Sequence, residues 1–243
     1  MGRENGLRSF LAGSQVTMWK TLRCYKSIVI NQQLNRRTVN LTMIGASDMF
    51  ARAFATWAVA SLHNITIVGP GFDKPNAFAN DVGAARAAGR QEPLRDDMII
   101  LALPYACLND VLQSYEPANF EGKIVVDLTA PVDFDSFEPI HPKAGSAAQE
   151  IANTVRARVV KAFNPMFAGS LVSTQSVGEH MREVFLAGDD DEAKHVVAKL
   201  FDEGGLRPID VGPLRRAQEI EAFAYLHVAG RQPKIDRIWR GSH

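Results

Sequence analysis

From residue 39 onward, apolar residues fall into short unbroken runs, and amphipathic stretches of about two or three turns separate them. The runs predict strands at 39–44, 65–68, 98–103, 124–127, 158–161, 184–187 and 208–211, with a weaker run at 84–87. The stretches between them predict helices at 50–62, 75–82, 106–114, 146–155, 192–203 and 213–228. Apolar runs with no polar alternation suit parallel strands covered on both faces. Strand–helix alternation therefore predicts an α/β fold: a doubly wound, mostly parallel sheet of about eight strands, Rossmann type. Turn residues agree with this division, with Gly-Pro-Gly at 69–71, Gly204-Gly205 and Gly212-Pro213 all between elements.

Ligands of such sheets collect at the carboxyl ends of the strands, so the residues that follow each strand are the candidates for chemistry. The first strand runs into Gly45, Ala46, Ser47, Asp48, Met49 and Phe50. This is the layout of a dinucleotide loop, in which the first glycine makes the turn and two later small residues admit the pyrophosphate and the helix. Ser47 stands at the second place and Phe50 at the third, or Ala51 if one residue is inserted. Free N–H groups at the start of the next helix favour an anion. An ordinary strand-to-helix turn is the alternative.

After the second strand, Gly69, Pro70 and Gly71 lead to Lys74, with no acid at the strand end to accept a ribose hydroxyl. Lys74 is the cation available to a ribose phosphate, which favours NADP over NAD. Leu103 and Pro104 follow the fourth strand, Ala130 and Pro131 the fifth, and Ala162, Phe163 and Asn164 the sixth. Their backbones are placed to line a nicotinamide. Lys161 and Asn164 either orient a carboxamide or substrate, or satisfy local backbone. Cys107 has no base nearby in sequence and reads as a buried structural cysteine. The six histidines share no ligand spacing, so no metal site is expected. Asp189-Asp190-Asp191 reads as a helix N-cap.

With 46% hydrophobic and 22% charged residues, the chain can bury a large core. Its formal charge of zero gives no global attraction to nucleic acid or anionic lipid. No apolar stretch approaches the roughly 18 to 20 residues of a membrane helix. Residues 1–38 differ: seven Lys and Arg stand there against Glu4 alone. They read as a disordered basic extension, an upstream start, or an organellar targeting segment. The expected organisation is an extension over 1–38, a nucleotide-binding body over 39–229 and a tail over 230–243. A cytoplasmic location is expected, or an organellar one if the first segment is a targeting peptide.

Several landmarks, in order, resemble one family. They are Gly45-x-Ser47-Asp48 with its small-residue helix, DMIILALP at 97–104, VVDLTAP at 125–131 and VVKAFN at 159–164. The stretch LAGDDDEAKHVVAKLFDEGGLRPIDVGPLRRAQEIEAFAYLHV at 186–228 is the most specific. Together, over about residues 39–229, they resemble the deazaflavin-dependent NADP oxidoreductases. That fold is also the cytosolic reductase domain of the six-transmembrane metalloreductases. The resemblance implies binding of NADP(H) and direct hydride transfer between nicotinamide and a flavin or deazaflavin co-substrate. Side chains then mostly position the two rings, and no acid or base is required. The chain departs from the family pattern at Ser47, at Met49-Phe50-Ala51, at Pro70-Gly71 in place of a Ser-Arg pair, and at Ala130 in place of Asn.

An NADP-dependent oxidoreductase is thus the first expectation, with Gly45 and Ser47 at the pyrophosphate and Lys74 near the ribose phosphate. A cofactor-poor relative serving as a binding or assembly module is the second, its C-terminal helices at 213–228 offering the surface. A reductase of small imines or ketones is the third. The partner expected is a small-molecule redox acceptor, with no nucleic acid and no membrane span, and a homodimer is the assembly considered.

Overall fold

The structure of the protein, a computed structural model, describes residues 38–45, 49–69, 75–90, 92–163 and 183–229. The strands are β1 (Asn40–Ile44), β2 (Asn64–Val68), β3 (Arg86–Ala88), β4 (Met98–Leu101), β5 (Ile124–Asp127), β6 (Arg158–Phe163), β7 (Glu183–Gly188) and β8 (Arg207–Asp210). The helices are α1 (Met49–Ala60), α2 (Pro75–Val82), α3 (Tyr105–Gln113), α4 (Ala147–Thr154), α5 (Asp191–Glu203) and α6 (Ala217–Ala229). The strands form one sheet in the order β3-β2-β1-β4-β5-β6-β7-β8. All pairs are parallel except β6 with β7. This is the doubly wound α/β fold expected.

Burial explains why these runs are strands. Every residue of β4 and of β5 is buried, as strands sandwiched between helix layers must be. On one face Phe54, Ala55 and Ala58 of α1, Phe78 of α2 and Val197, Leu200 and Phe201 of α5 pack on Leu41, Met43, Ile65 and Ile67. On the other, Leu108, Val111 and Leu112 of α3 and Ala147, Ala148 and Ile151 of α4 cover Ile99, Leu101 and Val125. Small residues at Ala51, Ala55 and Ala58, all buried, let α1 lie close on the sheet. Gly204 ends α5 against Trp57, whose ring a Cβ at Gly204 would meet at 2.2 Å. The Trp57 indole donates to the Gly204 carbonyl at 3.2 Å across that contact.

Several element boundaries differ from the sequence expectation. β6 runs to Phe163 rather than stopping at Lys161, because Ala162 and Phe163 pair with Leu186 and Phe185 of the antiparallel β7. β4 stops at Leu101, opposite the last residue of β1, and Pro104 then caps α3 without a side-chain bond. The helix expected from residue 213 begins at Ala217. A single 3-10 turn, Leu214–Arg216, precedes it, and the Leu214 N–H donates to Asp189 at 2.8 Å. Among the described residues no helix is long and apolar enough to cross a membrane.

Candidate nucleotide site

The chain passes from β3 at one edge of the sheet to β4 on the far side of β1. β1 and β4 are therefore neighbours, and the helices that follow them, α1 and α3, cover opposite faces, which makes their carboxyl ends the switch point at which such sheets bind ligands. Gly45 sits at that point. Its φ of +132° lies where side chains are strained, and a Cβ would come within 1.8 Å of the Ala102 carbonyl oxygen. The Gly45 N–H donates to Val68 at 2.9 Å, and the Ala102 N–H donates to Ile44 at 3.0 Å. Only glycine allows β1 to turn this close to β4.

Met49 and Phe50 open α1, whose first turn carries no acidic residue to oppose an anion. Ala46, Ser47, Asp48, Pro70, Gly71, Lys74 and Asn164 lie outside the described residues. Gly69 is buried directly after β2. Leu103, Ala130, Pro131, Ala162 and Phe163 are all buried, and Pro104 is half-buried. They are brought to one edge of the sheet because β4, β5 and β6 are successive neighbours. Ala162 and Phe163 reach it as strand residues, not as the loop that the sequence suggested.

Lys161 is not a free polar group at the strand edge. It is 1% exposed and faces Asp127, its partner in the register of β5 and β6. Its ammonium donates to Asp127 Oδ2 at 2.9 Å, to the Thr129 carbonyl, and to Glu221 Oε1 at 3.1 Å. Of the two roles considered for Lys161, the local structural one is observed. Burial works against its charge, but Asp127 and Glu221 outweigh burial and hold its pKa above the usual lysine range. Asp127 Oδ1 accepts the Thr129 N–H at 2.7 Å.

Glu221, 3% exposed, accepts the N–H groups of Ala147 at 3.0 Å and Ala148 at 3.3 Å. Burial raises its carboxyl above the ordinary range, while Lys161 pulls the other way. The positive end of α4 adds to that support. Sequence reasoning missed Glu221, and its signal is its place on the stripe Ala217, Ile220, Glu221, Ala224 that α6 buries. Beside the cluster, the Tyr105 hydroxyl donates to Glu150 at 2.7 Å. Burial first, and the Glu150 carboxylate second, raise the Tyr105 pKa.

Cys107 is exposed, contrary to expectation. It lies on the first turn of α3, while Leu108, Val111 and Leu112 form the buried face. Among the described residues no three His, Cys, Asp or Glu side chains group as metal ligands.

Residues 40–131 match the family model described as NADP oxidoreductase, coenzyme F420-dependent. Metalloreductase STEAP3 of Rattus norvegicus is 30% identical over 183 residues, which are 74% of this chain and 35% of that protein. An F420-dependent NADP reductase of Methanocaldococcus jannaschii is 31% identical over 137 residues, 54% of this chain and 60% of that one. The chain thus spans about one third and three fifths of these curated relatives. Among solved structures, a putative F420-dependent NADP reductase from Arthrobacter sp. FB24 superposes with a TM-score of 0.64 at 25% identity. That match covers 82% of this chain and 92% of the other.

Proposed function

We propose, from the match of residues 40–131 to the model of the coenzyme F420-dependent NADP oxidoreductases, that this chain exchanges hydride between NADP(H) and a flavin-like or deazaflavin acceptor. The observation that carries the reading is Gly45 at the switch point, where a Cβ would strike the backbone of Ala102, the residue after β4. The residues present fit the cofactor. Gly45 and the acid-free first turn of α1 suit a diphosphate. Ser47 and Lys74 are assigned to the diphosphate and the ribose phosphate from sequence. Leu103, Ala130, Ala162 and Phe163 offer an apolar edge that keeps water from the nicotinamide. The cofactor supplies the hydride when bound. The side chains hold the two rings in contact, and residues 39–229 form the body that does so.

Titrating the purified protein with NADPH, following nicotinamide fluorescence, tests the reading. A saturable signal is expected, and oxidation of the cofactor should then depend on an added flavin or deazaflavin. No saturation up to about millimolar cofactor would sink it. That outcome would favour the binding-module reading instead, for which Phe223 and Leu226 stand exposed on α6. Beside them runs an apolar groove of about 440 Å³ lined by Phe185, Val211, Ile220 and Phe223. Turnover of small imines or ketones in place of flavins would reassign the acceptor.

A further inference from the structure

Both backbone polar groups of Thr129 are held by charged side chains. Its N–H goes to Asp127 at 2.7 Å, and its carbonyl accepts from Lys161. The ionic cluster, rather than a neighbouring strand, therefore fixes the direction in which turn 129–131 leaves β5. Lys161 has three protons and three acceptors, so none remains for a ligand. Glu221 is the member that comes from outside the sheet. The same carboxylate takes two N–H groups in the first turn of α4. In the same first turn of α4, Glu150 accepts the hydroxyl of Tyr105, the residue after Pro104 in the turn beyond β4. One buried carboxylate on α6 is thus tied to the turns beyond β4 and β5. By contrast, among the described residues Gly45 is held by the end of β2, where its N–H meets Val68, and by the backbone of Ala102 just past β4.

We propose that Glu221 is a positioning residue for the nicotinamide half of the cofactor. It acts through Lys161 on turn 129–131 and through α4 on the turn at Pro104. The proposal rests on the function given above and adds that the two halves of the site are set independently.

NADPH and 2′,5′-ADP, which lacks the nicotinamide, separate the halves. Affinities of both would be measured by calorimetry for the wild type, Glu221→Gln and Tyr105→Phe, with thermal midpoints recorded alongside. In Glu221→Gln the NADPH Kd should rise about tenfold, while that of 2′,5′-ADP stays within about twofold. Tyr105→Phe, which spares the buried charges, should move NADPH alone by a smaller factor. A loss shared equally by both ligands would mark Glu221 as merely structural and overturn the proposal. Unchanged NADPH affinity in both folded variants would also overturn it. Should Glu221→Gln not fold, the Tyr105→Phe result decides by the same criterion. If the wild type itself binds neither ligand, the function reading falls and this inference falls with it. Binding by the wild type with no selective loss in the variants removes this inference alone.

Discussion

Lys161, Asp127 and Glu221 form a buried cluster with one formal positive and two formal negative charges. Each is at most 3% exposed. Such a group is tolerable only because each carboxylate oxygen and each ammonium proton has a partner, including the two N–H groups at the positive end of α4. Thr129 is the exception within it. Its backbone is fully used, yet its hydroxyl is buried without a hydrogen-bond partner. A buried hydroxyl in that state costs about 1 kcal/mol or more relative to an apolar group of the same shape. Thr129→Val keeps the shape and should raise stability by about 1 kcal/mol, read as a higher urea midpoint with unchanged slope. A lower midpoint would show that the hydroxyl is bonded in solution. Pairing across β5 and β6 could not be read from the sequence, so Lys161 looked available when it is fully engaged.

At the scale of elements, local chemistry was legible and long-range pairing was not. Asp190 accepts the Ala193 N–H at 2.8 Å and starts α5 as its run of acids predicts. Ser146 caps α4 in the same manner, accepting from Gln149 at 3.1 Å. By contrast, β6 gained two residues from β7, a partner about twenty residues away that periodicity cannot locate. The end of α1 shows local strain that the sequence hides. Leu62 has φ +66° and is 55% exposed, and its N–H bonds the Val59 carbonyl while His63 closes on Ala58. Glycine is the usual occupant of such a left-handed helix end, and a leucine there is strained by about 1 kcal/mol. The greater unfolded-state freedom of glycine offsets part of this. Leu62→Gly should therefore raise the thermal midpoint by about 1–2 °C, equivalent to about 0.5 kcal/mol. A fall would mean that the leucine packs more than its exposure indicates.

For the whole molecule, the layered α/β architecture followed from alternating runs, and Gly45 was marked by its motif. The buried cluster was not visible, because its three charges come from β5, β6 and α6 and meet only when the sheet order is known. Lys161 of that cluster and two tyrosines outside it give the fold a direction of pH sensitivity. Lys161, Tyr105 and Tyr115 all have raised pKa values, the last pushed to about 12 by burial. A group whose pKa is higher in the folded state favours folding while it stays protonated. Its contribution is full below the unfolded value, about 10 for lysine and tyrosine, and disappears as pH climbs through the folded value. All three therefore act with one sign, and stability should fall steadily above about pH 10. Tyr105 and Tyr115 should form phenolate only as the sheet opens. Ultraviolet phenolate absorbance and far-ultraviolet circular dichroism, followed together in an alkaline titration, should share a common transition for these two tyrosines. Early phenolate signal from both with the dichroism intact would show that α3 and the turn after it are open to solvent.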